Sequence, residues 1–431
     1  MKKIFLIYVS LFLIIHLAGG QDNISPAPPQ TKDILIKNGT LHVGNGQVLN
    51  NSSILVKNGK IAAIGNDLKN DNARVIDATG KQVYPALIAA ATIIGLREIT
   101  GSVRGTNDYR ELGELNPNVR SIVSYNTDSK IINVLRSNGI LIANIIPQGS
   151  LLMGTSSVVQ FDAWNWEDAA YKMDAGIHIN FPGLLMRSRR FRQNSATGDQ
   201  QKEAMDKVEM LRNFFKEAKA YLAEKNHVAT NLKFEAVKGL YDKSQKLYIH
   251  CDIVKEMLVA IDFAKTFGFD VVIVGGSESW RIADLLKQNG IAVILQQLHA
   301  LPTLDDDDVD QPFKTPYLLK KAGVLFCLND DDGNTTGRNL AFNAGTAAAY
   351  GLNKEEALQA ITLDAAKILG IADKTGSLET GKDANIVIST GDILDMESSV
   401  ITHAFIQGRE INLVDKHKQL NEKYERKYGI Q

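Results

Sequence analysis

The chain has two cysteines in 431 residues, Cys251 and Cys327, and both lie in apolar runs. Two cysteines cannot staple a domain of this size, so a disulfide scaffold is excluded and buried free thiols are the expected state. Net charge is also lacking. Lys and Arg number 48 against 49 Asp and Glu, a formal charge of -1. No strong field for nucleic acid or an anionic membrane follows from that balance. The sequence has no G-x-S-x-G elbow, no dinucleotide-binding glycine fingerprint and no P-loop, so three common catalytic frames are absent. Two acidic clusters, Asp305 to Asp308 with Asp310 and Asp330 to Asp332 with Asn334, lack the spacing of an EF-hand loop. No internal repeat stands out.

What is present begins with a targeting segment. Lys2 and Lys3 precede an apolar run from Ile4 to Leu17, and Ala18-Gly19-Gly20 follows. The run is short of the roughly 20 residues that span a bilayer. It reads as an export signal over residues 1–20, cleaved before Gln21, rather than as a stable membrane anchor. No cysteine lies directly after the run, which argues against a lipid anchor. The expected location is periplasmic or extracellular. Removing the signal would leave about 411 residues and a net charge of about -3. Residues 21–32, which include SPAPPQ, read as a flexible lead-in.

Residues 33–82 alternate short apolar runs with turns, and Asn38-Gly39 and Asn58-Gly59 are hairpin signals. A matching set lies at 373–412. Each set is too small to bury its own faces, so the two together are expected to form a small β-sandwich built from both ends of the chain. Between them, over 83–372, the pattern changes to strand followed by helix. Strands are expected at 83–90, 140–146, 157–161, 177–181, 247–252, 270–275, 291–297 and 324–330. Helices are expected at 128–138, 202–224, 253–267, 278–288, 314–322 and 353–369. Eight such strands predict an α/β fold, a (β/α)8 TIM barrel. The continuous apolar runs VVIVG and IAVIL suit strands buried on both faces. Residues 413–431 form a polar tail.

Two motifs carry a resemblance. Residues 83–96, VYPALIAAATIIGL, are similar to the first barrel strand of the metal-dependent amidohydrolases, where Pro-Gly and apolar residues lead into Asp-x-His-Thr-His. Pro85, Leu87, Ile88, Thr92, Gly95 and Leu96 fall into that frame. The tail GSLETGKDANIVI, from Gly376, resembles the ending of the imidazolonepropionase-like group, with Gly376, Ser377, Leu378, Gly381, Lys382, Asp383 and Ala384 in register. The resemblance covers 33–412. It implies metal-dependent hydrolysis of non-peptide C–N bonds, with zinc or another divalent ion held at the strand ends by histidines and carboxylates.

The same resemblance shows what is missing. Ala91 and Ile93 stand where the His-x-His belongs, and Ala89 where the Asp lies. Gly275 stands where the sixth strand usually carries a histidine. The expected fourth strand, GIHINFPGL, has no Lys or Glu; His178 could replace that ligand or simply line the barrel. His250 in LYIHCDI matches the fifth-strand position. Asp330 is the first choice for the eighth-strand acid and Asp331 the second. His250 and Asp330 are thus the residual catalytic and metal candidates, and two ligands do not make a stable zinc site.

Other groups near the expected barrel mouth could bind a ligand. Arg104, Asn107, Tyr109 and Arg120 lie in the loop after the first strand, and could hold a polar or anionic group or serve only as a charged loop. Trp164 and Trp166 could stack on a ring or pack between helix and barrel. His299 follows the seventh strand. The expectation is an exported protein of amidohydrolase type with a dismantled metal centre and no resident cofactor. It would bind a small molecule, or pair with a related active subunit or with its own copies. The alternative is an active amidohydrolase on a cyclic amide, amine or dipeptide-like molecule, using a rearranged site of His178, His250, His299 and Asp330 with a divalent metal.

Overall fold

The computed structural model describes residues 25–98, 110–184, 197–304, 306–330 and 335–430. Two eight-stranded sheets organise them. The first joins both ends of the chain: β1 (Ile34–His42), β2 (Val48–Lys57), β3 (Lys60–Gly65), β4 (Arg74–Asp77) and β5 (Gln82–Pro85) pair with the later β14 (Ile386–Ser389), β15 (Ile401–Ile406) and β16 (Arg409–Glu410). The second is the barrel, with β6 (Leu87–Thr92), β7 (Ile140–Ile145), β8 (Leu152–Gln160), β9 (Ala170–Asn180), β10 (Lys246–Cys251), β11 (Val271–Gly275), β12 (Ala292–Leu295) and β13 (Phe326–Leu328) in sequence order. The expected barrel and composite β domain are therefore both present. The strand expected at 83–90 serves both sheets: β5 pairs with β14, and after Ala86 the same run continues as β6 in the barrel.

Local chemistry explains the turns. Asn58-Gly59 makes the β2–β3 hairpin, with Lys57 opposite Lys60 and positive φ at both turn residues. Asn38-Gly39 does not. It is a bulge inside β1, where the register with β2 shifts, and a side chain at Gly39 would collide with Val83. The hairpin between β1 and β2 turns instead at Gly44 and Gly46, both at positive φ. The lead-in is pinned rather than loose from Ala27 onward. Ala27 N–H donates to Asp162, and the Gln30 side chain reaches Val56 O and Gly59 N–H.

In the barrel, β8 runs antiparallel to both β7 and β9, and the other neighbours are parallel. The connections into and out of β8 are too short for a crossover helix, so the chain doubles back. Inner-facing residues form a separate apolar cluster, with Ile88, Ala90, Ile142, Val158, Tyr248, Val272, Val274, Ile294 and Cys327. The helix Leu363–Leu369 closes its base through Ala365, Ala366 and Ile368. Outward residues of the same strands pack under the surrounding helices. Among these is Thr197–Ala223, whose Val208, Leu211, Phe215 and Ala218 sit at helical spacing in the outer core. The helix expected over 353–369 is broken into Lys354–Ala360, opened by an Asn353–Glu356 capping box, and Leu363–Leu369. Cys251 and Cys327 are buried free thiols.

No ladder joins β13 to β6 among the described residues. The seam is closed by a side chain instead. The Asn329 carboxamide donates to Ala91 O at 2.8 Å and accepts from Ala91 N–H at 3.0 Å, filling the place of a neighbouring peptide. Asn329 is fully buried, so both bonds are shielded from water.

Candidate functional site in the barrel

The structure brings His178 and His250 together although 72 residues separate them. His178 lies on β9 and His250 at the C-terminal end of β10. His178 Nδ1 and His250 Nε2 are 2.9 Å apart, and His178 Nε2 is 2.9 Å from Ser156 Oγ on β8. His178 is fully enclosed and stacks on Tyr248 at 4.6 Å. His250 as a whole residue keeps some exposure, although its imidazole is set deep in the barrel. Burial pushes both imidazoles toward the neutral form. His178 falls well below the usual histidine range, through desolvation first and the neighbouring His250 second, and burial alone brings His250 down to about 4.

Asp330 follows β13 and is buried. Its Oδ1 accepts from Thr336 Oγ1 at 2.7 Å and its Oδ2 from Asn343 Nδ2 at 3.2 Å. The same Asn343 accepts from Leu298 N–H, so it fastens the loop after β12 to the acid. No hydrogen bond between described residues joins Asp330 to either histidine. His299 is elsewhere: exposed, with Nε2 2.8 Å from Thr346 Oγ1 and its ring edge on Phe313. Arg120 pairs with Asp174 at 2.8 Å. Trp164 is exposed and Trp166 packs partly against the outer core. In the first acidic cluster Asp307 pairs with Arg281, and Asp308 and Asp310 flank Lys314. Arg104, Asn107, Tyr109, Asp305, Asp331, Asp332 and Asn334 lie outside the described residues.

The positions where the resemblance implies metal ligands have a different character. Ala91 and Ile93 are buried in the inner apolar cluster. Gly275 has φ +103, and a β-carbon there would meet Asp252 Oδ1 at 2.7 Å and Cys251 O at 2.9 Å. No side chain fits at that point without strain. Gly275 instead borders a cleft of about 260 Å³ at the ends of β11 and β12, lined also by Asp252, Ser277, Gln296, Leu298 and Gln311.

Sequence reasoning missed three residues. Ser156 and Asn343 gave no signal of their own, because their roles depend on partners far along the chain. Asn144 had one: it is the single polar residue in the run ILIANI. It is fully buried beside the inner-facing Ile142 and Ile146, and neither polar atom of its amide has a hydrogen-bond partner among the described residues.

Residues 153–411 match the model of the amidohydrolase family. The imidazolonepropionase of Thermoplasma volcanium is 25% identical over 358 residues, spanning 79% of this chain and 84% of that protein. The imidazolonepropionase of Picrophilus torridus is 29% identical over 178 residues, 39% of this chain and 43% of that one. Among solved structures, an amidohydrolase from Thermotoga maritima MSB8 superposes with a TM-score of 0.76 at 27% identity, over 88% of this chain and 99% of its own. A molinate hydrolase shares the fold at a TM-score of 0.54 and 18% identity, over 90% of this chain and 95% of its own. The barrel, the composite sheet and these matches agree: the chain belongs to the amidohydrolase family and resembles, within it, the imidazolonepropionase-like group.

Proposed function

We propose that this chain is an exported member of the family that no longer holds the hydrolytic metal and binds a small molecule at the barrel mouth, alone or as a subunit beside an active relative. The observation that carries the reading is the 2.9 Å contact between His178 and His250. It uses the Nε2 of the best-placed ligand candidate on another histidine. The donor set around it does not fit a catalytic ion, which needs about three protein ligands. The first strand offers Ala91 and Ile93, the sixth offers a glycine where any side chain is strained, and the Asp330 oxygens accept from Thr336 and Asn343. Export is supported by the basic and apolar character of residues 1–20.

Metal analysis of the purified full chain tests this reading. The expected content is well below one ion per chain, with no loss of stability on chelation. Stoichiometric zinc, iron or manganese would overturn it.

One observation favours a second reading, that of a working hydrolase. Asp330 is retained at the end of the last strand and is oriented by two side chains, as a general base requires. That reading predicts amidase, deaminase or dipeptidase turnover that chelators abolish and Asp330→Ala removes.

A further inference from the structure

Three contacts in the barrel interior constrain one another. Ser156 Oγ lies 3.4 Å from Gly176 O and 2.9 Å from His178 Nε2, and His178 Nδ1 lies 2.9 Å from His250 Nε2. A carbonyl oxygen only accepts, so the Gly176 contact, long for an O–H···O bond, forms only with the Ser156 proton. Ser156 Oγ must then accept from His178, which places the His178 proton on Nε2 and a lone pair on Nδ1. His250 must in turn donate from Nε2, which leaves its Nδ1 as a bare lone pair. The reverse placement, with Ser156 donating to His178, forfeits the bond to Gly176 and turns His250 Nδ1 into an N–H. For neutral rings, only the first placement satisfies all three contacts at once.

The relay has an open end. Ser156 and His178 are fully enclosed, whereas His250 as a whole residue keeps some exposure, and its Nδ1 makes no hydrogen bond to a described residue. We infer that Ser156 and His178 set the tautomer of His250 so that Nδ1 faces the ligand as a neutral hydrogen-bond acceptor, and that the site takes a small molecule through an N–H or O–H donor. An anionic group would meet a lone pair and gain nothing from this seat. Ser156 is thus a positioning residue that acts through His178. The inference rests on the metal-free reading, because an ion would compete for the same lone pair.

The test uses the full chain with 15N-labelled histidine, with His250→Gln to assign the resonances. Long-range proton–nitrogen spectra at neutral pH are expected to show both inner histidines as neutral Nε2–H tautomers. Ser156→Ala is expected to give His250 a mixture of tautomers, and Ser156→Thr, which keeps the hydroxyl, to restore the wild-type pattern. A residue that only packed would leave the tautomer unchanged. Succinimide, which carries one N–H, is expected to move the His250 Nδ1 resonance on titration, while N-methylsuccinimide is not. An Nδ1–H tautomer in the wild-type chain overturns the inference, as does an equal response to the two probes. The wild-type spectrum decides the point even if Ser156→Ala fails to fold. Stoichiometric metal with both Nε2–H tautomers intact would leave the relay standing and overturn the metal-free reading. A metal-free chain with the reversed tautomer would overturn the relay alone.

Discussion

Burial without a carboxylate partner sets the charge of the inner histidines. An imidazole moved out of water loses hydration of its cation, and among the described residues these rings hydrogen-bond each other and, for His178, Ser156, with no carboxylate. The folded chain therefore resists protonation at these two positions, while the unfolded chain takes up protons near pH 6.5. Stability is undiminished above pH 6.5 and is lost as pH falls from there toward 4, where folded His250 begins to charge. His250 alone accounts for a loss on the order of 3 kcal/mol across that window, and His178 adds to it in the same direction. Denaturant unfolding of the wild type and of His178→Phe with His250→Phe, measured at pH 7 and pH 4.5, checks the sign. The wild type should lose more stability on acidification than the double variant. Much of this was beyond the reach of sequence reasoning. His250 could be picked out because it ends the apolar run LYI in a familiar frame. Its pairing with His178 could not, since it depends on how β9 and β10 align, with Tyr248 opposite His178.

At the scale of elements, the sequence showed where strands lie better than which way they run. The strand expected at 157–161 extends over Leu152–Gln160 and is antiparallel. Every residue of β8 is buried, so no alternation of apolar and polar residues marks its faces or its direction. The connection length held the answer, because six residues after β7 leave no room for a crossover helix. The seam was equally hidden. Asn329 replaces a strand-to-strand ladder with one carboxamide, and nothing local distinguishes it from any other asparagine. Asn329→Ala should strand a buried N–H and a buried C=O of Ala91, lowering stability by about 2–5 kcal/mol, as read from the denaturant midpoint at unchanged slope. Gly275 carries the complementary prediction. Restoring the residue that the resemblance implies, Gly275→His, should not rebuild a metal site. Its backbone is left-handed and its side-chain direction is filled by Asp252 and Cys251. The variant should lose at least about 2 kcal/mol to strain and bind no more zinc than the parent, as metal analysis after dialysis would show.

At the scale of the molecule, the two sheets share covalent and buried polar connections, which predicts that they unfold as one unit. β5 and β6 are a single run of chain that crosses from the composite sheet into the barrel at Ala86. His42 on β1 binds Glu355 of the helix Lys354–Ala360 at 2.6 Å, and Tyr171 on β9 donates to Asp383 beyond the barrel at 2.5 Å. Asp162 is the most enclosed of these links. Its side chain is inaccessible and receives Arg136 from the barrel side at 3.5 Å, Arg409 from β16 at 2.8 Å and the Ala27 amide from the lead-in. Asp162→Ala would leave two guanidinium groups facing each other with no anion between them, which costs about 3–5 kcal/mol for a buried pair. Where that loss appears tests whether the sheets are coupled. Trp164, Trp166 and Trp280, the three tryptophans of the chain, all lie in the barrel region, so fluorescence reports that part alone. Hydrogen exchange at the β2–β3 hairpin reports the composite sheet. If the sheets fold together, fluorescence and hairpin exchange give the same free energy of unfolding, and Asp162→Ala lowers both by the same amount. A hairpin that opens at lower free energy than the tryptophans, with Asp162→Ala shifting only one of the two, would mean that the composite sheet is a separate unit resting on the barrel.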